Sequence, residues 1–347
     1  MGVCFLCTMA TDAQRFEAAT NSSWFLEQDD RNRLQAYLKH IDYLLPNERI
    51  MAAPSAGEGN MNLTLRVFTD RRHFILKQSR PWVAKFPDIP APVERIHVER
   101  DFLMSISRDR FLESHSPELL RADSANYVLL MEDVGDASDL SAIYREGETL
   151  AEQDLKTLTT YAATLHQLCP MGYPENRPLR ELNHAHIFDL PFRPDNGFPL
   201  EAIHPGLADV ARPFQHDQRL RNRATALGER YLSPGPCLLH GDYYPGSFLR
   251  IDDRLTIIDA EFSFCGTPEF DLGVLRAHLL LAQTPPPLLE VIRREYTPVT
   301  QDFSWELVED FCNVEIMRRL IGIAQLPLEL SLEERQQMLE RARAGLV

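Results

Sequence analysis

Apolar side chains recur at helical spacing near the start of the chain, at Leu34, Tyr37, Leu38, Ile41 and Leu45, until Pro46 breaks the pattern. An opening helix is therefore predicted within residues 32–45. The period then shortens to two. Residues 62–68 (Asn-Leu-Thr-Leu-Arg-Val-Phe) alternate, Thr69-Asp-Arg-Arg72 carries turn residues, and residues 73–77 (His-Phe-Ile-Leu-Lys) make a second short run, which together predict a β-hairpin. After a Pro-rich stretch (Pro81, Pro87, Pro90, Pro92), Ile96, Phe102 and Leu103 return to helical spacing within residues 93–105. Tyr127 to Met131 reads as a buried strand that runs straight into Glu132 and Asp133. Beyond it the pattern is helical over 152–169, parts of 205–231, 269–281, 287–296, 305–324 and 331–344, interrupted by a β-hairpin region near 238–259.

This order predicts an α+β fold of two lobes rather than a doubly wound parallel sheet. The N-lobe, residues 1–133, would hold an antiparallel sheet plus a helix. The C-lobe, residues 134–347, would be mostly helical. With 347 residues, 44% of them hydrophobic, the chain can bury one large core or two moderate ones. No apolar run approaches the ~20 residues of a membrane span, and the first residues carry no basic segment, so a cytoplasmic protein is expected. Six scattered cysteines fit a reducing compartment, and Cys4-x-x-Cys7 lacks a second pair of ligands at zinc spacing. A net charge of −15 argues against a nucleic-acid groove, so a small-molecule partner is expected, and an anionic one would need a locally basic site.

The chemistry concentrates between His240 and Gly273. Leu238-Leu-His240-Gly-Asp242 and Leu255-Thr-Ile-Ile-Asp259-Ala-Glu261 are two apolar runs that each end in carboxylates, with Ser247 five positions after Asp242. Phosphoryl transfer needs this set: one carboxylate to receive or orient the acceptor hydroxyl, a polar residue shortly after it, and an acidic residue past the next strand to hold Mg²⁺ against the phosphates. Asp242 is thus the candidate catalytic residue, and Asp259, Glu261 and Ser247 the candidate metal ligands. On a strand, Glu261 would share a face with Asp259. Upstream, Gly57-x-Gly59-Asn60 before a strand is a weak phosphate-loop signal by itself. Lys77, at the end of the paired strand, suits a cation for the α- and β-phosphates, and Glu99, with Glu94 as a rival, suits its partner. The plainer alternatives are a solvated edge lysine and helix-surface acids.

These motifs resemble the aminoglycoside phosphotransferase and choline kinase superfamily, and within it the methylthioribose kinases. The likeness rests on Gly57-Glu-Gly-Asn-Met-Asn62, Lys77-Gln-Ser-Arg-Pro-Trp-Val83, Met131-Glu-Asp133, Asp259-Ala-Glu261 where most relatives have Asp-x-Asp, and Ser247. It implies a protein-kinase-like fold that binds ATP and Mg²⁺, with Met131, Glu132 and Asp133 along the adenine edge and Gly57, Gly59 and Asn60 over the phosphates. It implies dimers. It also assigns Arg318 and Arg319 to the substrate side, where adjacent guanidinium groups on an apolar helix suit a phosphoryl group in transfer. The alternative for that pair is neutralisation by Glu315 or exposure to solvent. The segment 183–192 is the expected substrate segment.

The expected activity is therefore ATP-dependent transfer of a phosphoryl group to a sugar hydroxyl, the 1-hydroxyl of 5-methylthioribose or a similar 5-modified ribose. Two rivals stand beside it. One is a kinase of another small alcohol (an amino alcohol, a homoserine-like compound or an aminoglycoside), whose cationic substrates would need an acidic pocket. The other is an inactive nucleotide-binding module.

Overall fold

A computed structural model of the protein describes residues 10–57 and 61–347. The chain groups into two compact units, one formed by residues up to Arg100 with Glu118–Asp133, the other by Asp101–Pro117 with Val134–Val347. Residues 101–117, which a single cut after 133 places in the first unit, belong with the second.

In the first unit, helices α1 (Asp12–Thr20) and α2 (Arg31–His40) precede a five-stranded antiparallel sheet. Its strands are β1 (Ile50–Ala52), β2 (Asn62–Thr69), β3 (His73–Ser79), β6 (Leu119–Asp123) and β7 (Val128–Met131), in the spatial order β1-β2-β3-β7-β6. The alternation read in the sequence is the reason for the sheet. Leu65, Val67, Phe74, Leu76, Val128 and Leu130 turn to one face and close a core with Leu34, Tyr37 and Leu38 of α2.

Three local features differ from the sequence reading. Helix α2 stops at His40 because Asp42 takes a left-handed conformation (φ 51°), well before Pro46. The Pro-rich stretch holds a small hairpin, β4 (Trp82–Val83) with β5 (Phe86–Pro90). Helix α1, poor in apolar residues, is fixed by a capping box in which the Thr11 hydroxyl accepts from the Gln14 amide at 3.3 Å and Gln14 Oε1 accepts from the Thr11 amide at 2.9 Å.

Helix α3 (Arg95–Ile106) runs across the division between the units. The second unit continues with α4 (Arg110–Ser114), strand β8 (Ser138–Asp139), α5 (Glu152–Leu165), α6 (Arg177–His184), α7 (Leu200–Ile203), α8 (Leu207–Gln215) and α9 (Gln218–Leu232). Four short strands follow: β9 (Cys237–Leu239), β10 (Phe248–Ile251), β11 (Arg254–Ile257) and β12 (Phe264–Gly266). β10 and β11 form the hairpin anticipated near 238–259, whereas β9 pairs with β12. Helices α10 (Glu269–Leu281) and α12 (Trp305–Ile321) pack against each other along their length, flanked by α11 (Pro286–Glu295) and α13 (Leu332–Leu346). α10 is apolar and buried almost all round, as a helix central to a core must be.

Candidate active site

In the first unit, Lys77 lies on β3 opposite Thr64 and Leu129. Residues 74 and 76 face the core, so period-two alternation turns Lys77 to the other face of the sheet. There its ammonium meets Glu99 of α3 at 2.7 Å, with the two side chains only 2% and 3% exposed. Glu94, the rival partner, is exposed. Met131, at the end of β7, is buried. The Asp133 carboxylate is engaged by Arg66 at 3.2 Å and by His73 at 2.9 Å, and the Glu132 carboxylate accepts from the Glu118 amide at 3.2 Å. Gly57 stands at φ 78°, while Gly59 and Asn60, like Cys4 and Cys7, lie outside the described residues.

The catalytic-loop candidates sit in the second unit, where β9 delivers His240-Gly241-Asp242. His240 is fully buried, and Ile258 O at 2.9 Å from its Nε2 can only accept, so the ring carries its proton there. Burial lowers its pKa and keeps it neutral, and Nδ1 accepts from the Asp242 amide at 3.4 Å. Asp271 of α10 accepts from the amides of His240 at 2.7 Å and Gly241 at 3.0 Å. Its carboxylate thereby fixes the turn's backbone, a role the sequence reading left unassigned.

Asp242 itself keeps an outlet, its side chain being 24% exposed. Burial is the largest influence on its carboxyl and, with Glu315 and Asp259, outweighs Arg319 and Arg318, so its pKa is pushed up to about 6. Such a carboxyl is half-ionised near pH 6 and mostly ionised at neutrality, which suits a general base.

Asp259 and Glu261 require a correction. β11 ends at Ile257, Asp259 is left-handed (φ 63°), and Ala260–Phe262 forms a tight 3₁₀ turn. The two acids therefore do not share a strand face: Asp259 is exposed and Glu261 buried. Ser247, buried, donates its hydroxyl to Asp242 O at 3.0 Å and keeps its lone pairs. Among the described residues no cluster of three or more His, Cys, Asp or Glu side chains is assembled to hold a metal. A few hard oxygen donors without a full protein cage fit Mg²⁺, which takes much of its octahedron from phosphate oxygens and water.

Arg318 and Arg319 follow from Glu315 by three and four residues on α12, which puts all three on one helix face. Arg318 Nη1 contacts both Glu315 oxygens at 3.1 Å, and Arg319 Nε contacts Oε1 at 2.6 Å. Arg319 also reaches Asp242 Oδ1 at 3.9 Å and lies over the Tyr244 ring at 5.1 Å. Glu315 thus balances one charge of the pair, and Arg319 faces the catalytic loop. The expected substrate segment is the end of α6 followed by a wide turn, Ala185–Asp189. Burial and then the Arg318 charge lower the pKa of its His186.

The model of the phosphotransferase enzyme family matches residues 57–309, which include Lys77, Glu99, the catalytic loop and Asp271. The chain belongs to this family. Its fold agrees: choline kinase LicA from Streptococcus pneumoniae, whose structure is also known in complex with AMP, superposes with a TM-score of 0.53 at 14% identity, covering 91% of this chain and 99% of that one. The family has the α+β, protein-kinase-like fold expected from the sequence. Among curated relatives, methylthioribose kinase from Erwinia tasmaniensis is 28% identical over 258 residues, or 70% of this chain and 63% of that enzyme. Methylthioribose kinase from Geobacillus sp. is 25% identical over 350 residues, 87% of this chain and 86% of that enzyme. The chain thus matches less than two thirds of the Erwinia enzyme's length.

Beyond the family's motif residues, the geometry adds Asp271 and Glu315. Asp271 was visible in Phe270-Asp-Leu-Gly273, but its target is the backbone of residues thirty positions earlier, which no sequence period reveals.

Proposed function

We propose that the protein is an ATP-dependent kinase of a small alcohol, transferring the γ-phosphoryl group to a sugar hydroxyl, with the 1-hydroxyl of 5-methylthioribose as the favoured acceptor. The observation that carries this reading is the Asp242 carboxylate just past the end of β9, set 3.9 Å from Arg319. The likeness to methylthioribose kinases supports the choice of sugar.

Asp242 in its ionised form accepts a hydrogen bond from the acceptor hydroxyl, aims the oxygen at the γ-phosphorus and takes the proton as the new P–O bond forms and the bond from that phosphorus to the leaving ADP oxygen breaks. Arg319 and Arg318 supply positive charge toward the transferring group. Lys77, held by Glu99, serves the α- and β-phosphates, with residues 57–60 over them and Met131 to Asp133 along the adenine. Since the Glu132 and Asp133 side chains are engaged elsewhere, their backbone would make that edge. Asp259, Glu261 and Ser247 would hold Mg²⁺, which when bound neutralises charge on the β- and γ-phosphates.

The test is ADP release with ATP and Mg²⁺ across a panel of methylthioribose, ribose, choline, ethanolamine, homoserine and an aminoglycoside. Preference for methylthioribose supports the reading. Preference for a cationic alcohol overturns the sugar, and no turnover on any acceptor overturns the kinase.

A further inference from the structure

Behind the two arginines lies a buried chain of polar side chains drawn from three separate elements. Glu315 of α12 receives both guanidinium groups on one side and His278 of α10 on the other, where His278 Nε2 stands 3.2 Å from Glu315 Oε1. Tyr144, in a 3₁₀ turn at Leu140–Tyr144, sits with its hydroxyl 2.5 Å from His278 Nδ1. Glu315, His278 and Tyr144 are all buried.

The hydrogen bonds have one direction. Glu315 can only accept from its arginines, so His278 donates from Nε2, its Nδ1 accepts, and the Tyr144 hydroxyl donates. The protonation states agree. Burial lowers the His278 pKa to about 4 and raises that of Tyr144, so both are neutral. Burial opposes the Glu315 anion, but Arg318, Arg319 and His278 overcome it and hold its pKa far below the ordinary carboxylate value. An arginine has several rotatable bonds and, without a fixed acceptor, would spread over several rotamers or collapse onto Asp242. Glu315 takes Nε of Arg319, Ala324 O takes Nη1 at 3.3 Å, and the Tyr244 ring covers its face. What remains is directed at Asp242. The Tyr244 ring also lies 5.1 Å from the His278 ring, tilted against it, so the loop and this buried chain share a wall.

We propose that Glu315 is a positioning residue of the phosphoryl-transfer site, acting through Arg319, and that His278 and Tyr144 set the place of its carboxylate. The proposal rests on the kinase reading above, and it adds to that reading three side chains that act through Arg319.

The experiment is a double-mutant cycle on the full chain, with kcat and both KM values measured on the best acceptor of the panel. Glu315→Gln is expected to lower kcat about 10- to 100-fold, the scale of a catalytic group misplaced by ~1 Å, with the KM for ATP within about twofold of the parent. In an Arg319→Ala background, the same Glu315→Gln change should cost less than about threefold, because the group it acts through is gone. A purely structural role would give the same loss in both backgrounds. Tyr144→Phe deletes one hydroxyl and is expected to lower kcat a few-fold with an unchanged melting temperature. A folded Glu315→Gln enzyme with parental kcat overturns the proposal, as does an equal loss with and without Arg319. Should Glu315→Gln not fold, a Tyr144→Phe enzyme with parental kcat overturns it. A parent without turnover on any acceptor would instead remove the kinase reading itself.

Discussion

Lys77 and Glu99 form an ion pair of 2.7 Å between a strand and a helix, and neither side chain has an appreciable share of solvent. Burying two charges is costly, and the attraction between them repays the cost only while both are present. Lys77→Ala should therefore remove the charge that faces Glu99, lowering stability by about 3–5 kcal/mol and weakening ATP binding together. Chemical denaturation and nucleotide titration check this. The double variant Lys77→Met with Glu99→Leu should recover much of the stability and none of the activity. Recovery of both would mean that the pair is structural only.

The Asp242 carboxyl sets a pH profile whose sign can be worked out. Only the ionised form takes a proton, so kcat/KM should rise about tenfold per pH unit up to about 6 and level off above it. A limb near 4, where an ordinary aspartate titrates, would contradict the geometry. The same shift has a consequence for stability. The folded state holds this proton more tightly than the unfolded chain between 3.8 and about 6, so ionisation costs stability as pH rises through that window, and the cost stays constant above it. Asp242→Asn should accordingly lose at least about a hundredfold in kcat yet melt no lower than the parent at pH 7.5. As pH falls from about 6 to 3.8 any stabilising difference should shrink, and below 3.8 it should be gone.

Much of this site was legible because it is local in sequence. Asp242, Ser247, Asp259 and Glu261 fall within one short stretch, and Lys77 stands at the end of the second strand of the predicted hairpin. What stayed hidden depends on long-range packing. Asp271 serves amides thirty positions earlier, and Tyr144 reaches His278 across 134 positions. The shared face assumed for Asp259 and Glu261 failed for a different reason. Backbone conformation intervened, since a left-handed Asp259 ends the alternation that the argument relied on. The Glu315 partnership was foreseen only as the bland alternative for the arginines, and the helix makes it coexist with the Arg319–Asp242 approach.

Asp271 offers a test of that long-range packing. Its two oxygens accept from two consecutive backbone amides, an arrangement that a carboxylate satisfies and an amide does not. In Asp271→Asn one backbone N–H would face the NH₂ group. The expected loss is roughly 1.5–3 kcal/mol of stability, the value of a hydrogen bond to a charged group. A fall in kcat should accompany it with little change in ATP affinity, because the nucleotide-binding candidates Lys77 and Glu99 lie in the other unit. Denaturant unfolding and steady-state kinetics together check this. Loss of ATP affinity without loss of kcat would refute the assignment.

Gly241 and Gly57 supply a matched comparison, since both have left-handed backbones with φ of 84° and 78°. For alanine that conformation costs about 1–2 kcal/mol wherever it occurs. The space around the two differs. Among the described residues a Cβ on Gly57 meets nothing within 4 Å, whereas on Gly241 it would lie 2.2 Å from the carbonyl oxygen of Phe262, a backbone atom on the 3₁₀ turn that carries Glu261. Relief must come from moving that turn or the His240-to-Asp242 loop. Gly57→Ala should therefore lose only about 1–2 kcal/mol and retain its catalytic-loop geometry. Gly241→Ala should lose measurably more, and its kcat should fall by about a hundredfold as Asp242 shifts. Equal destabilisation of the two variants, measured by thermal unfolding, would show that the turn yields freely and that Gly241 is required only for its backbone angle.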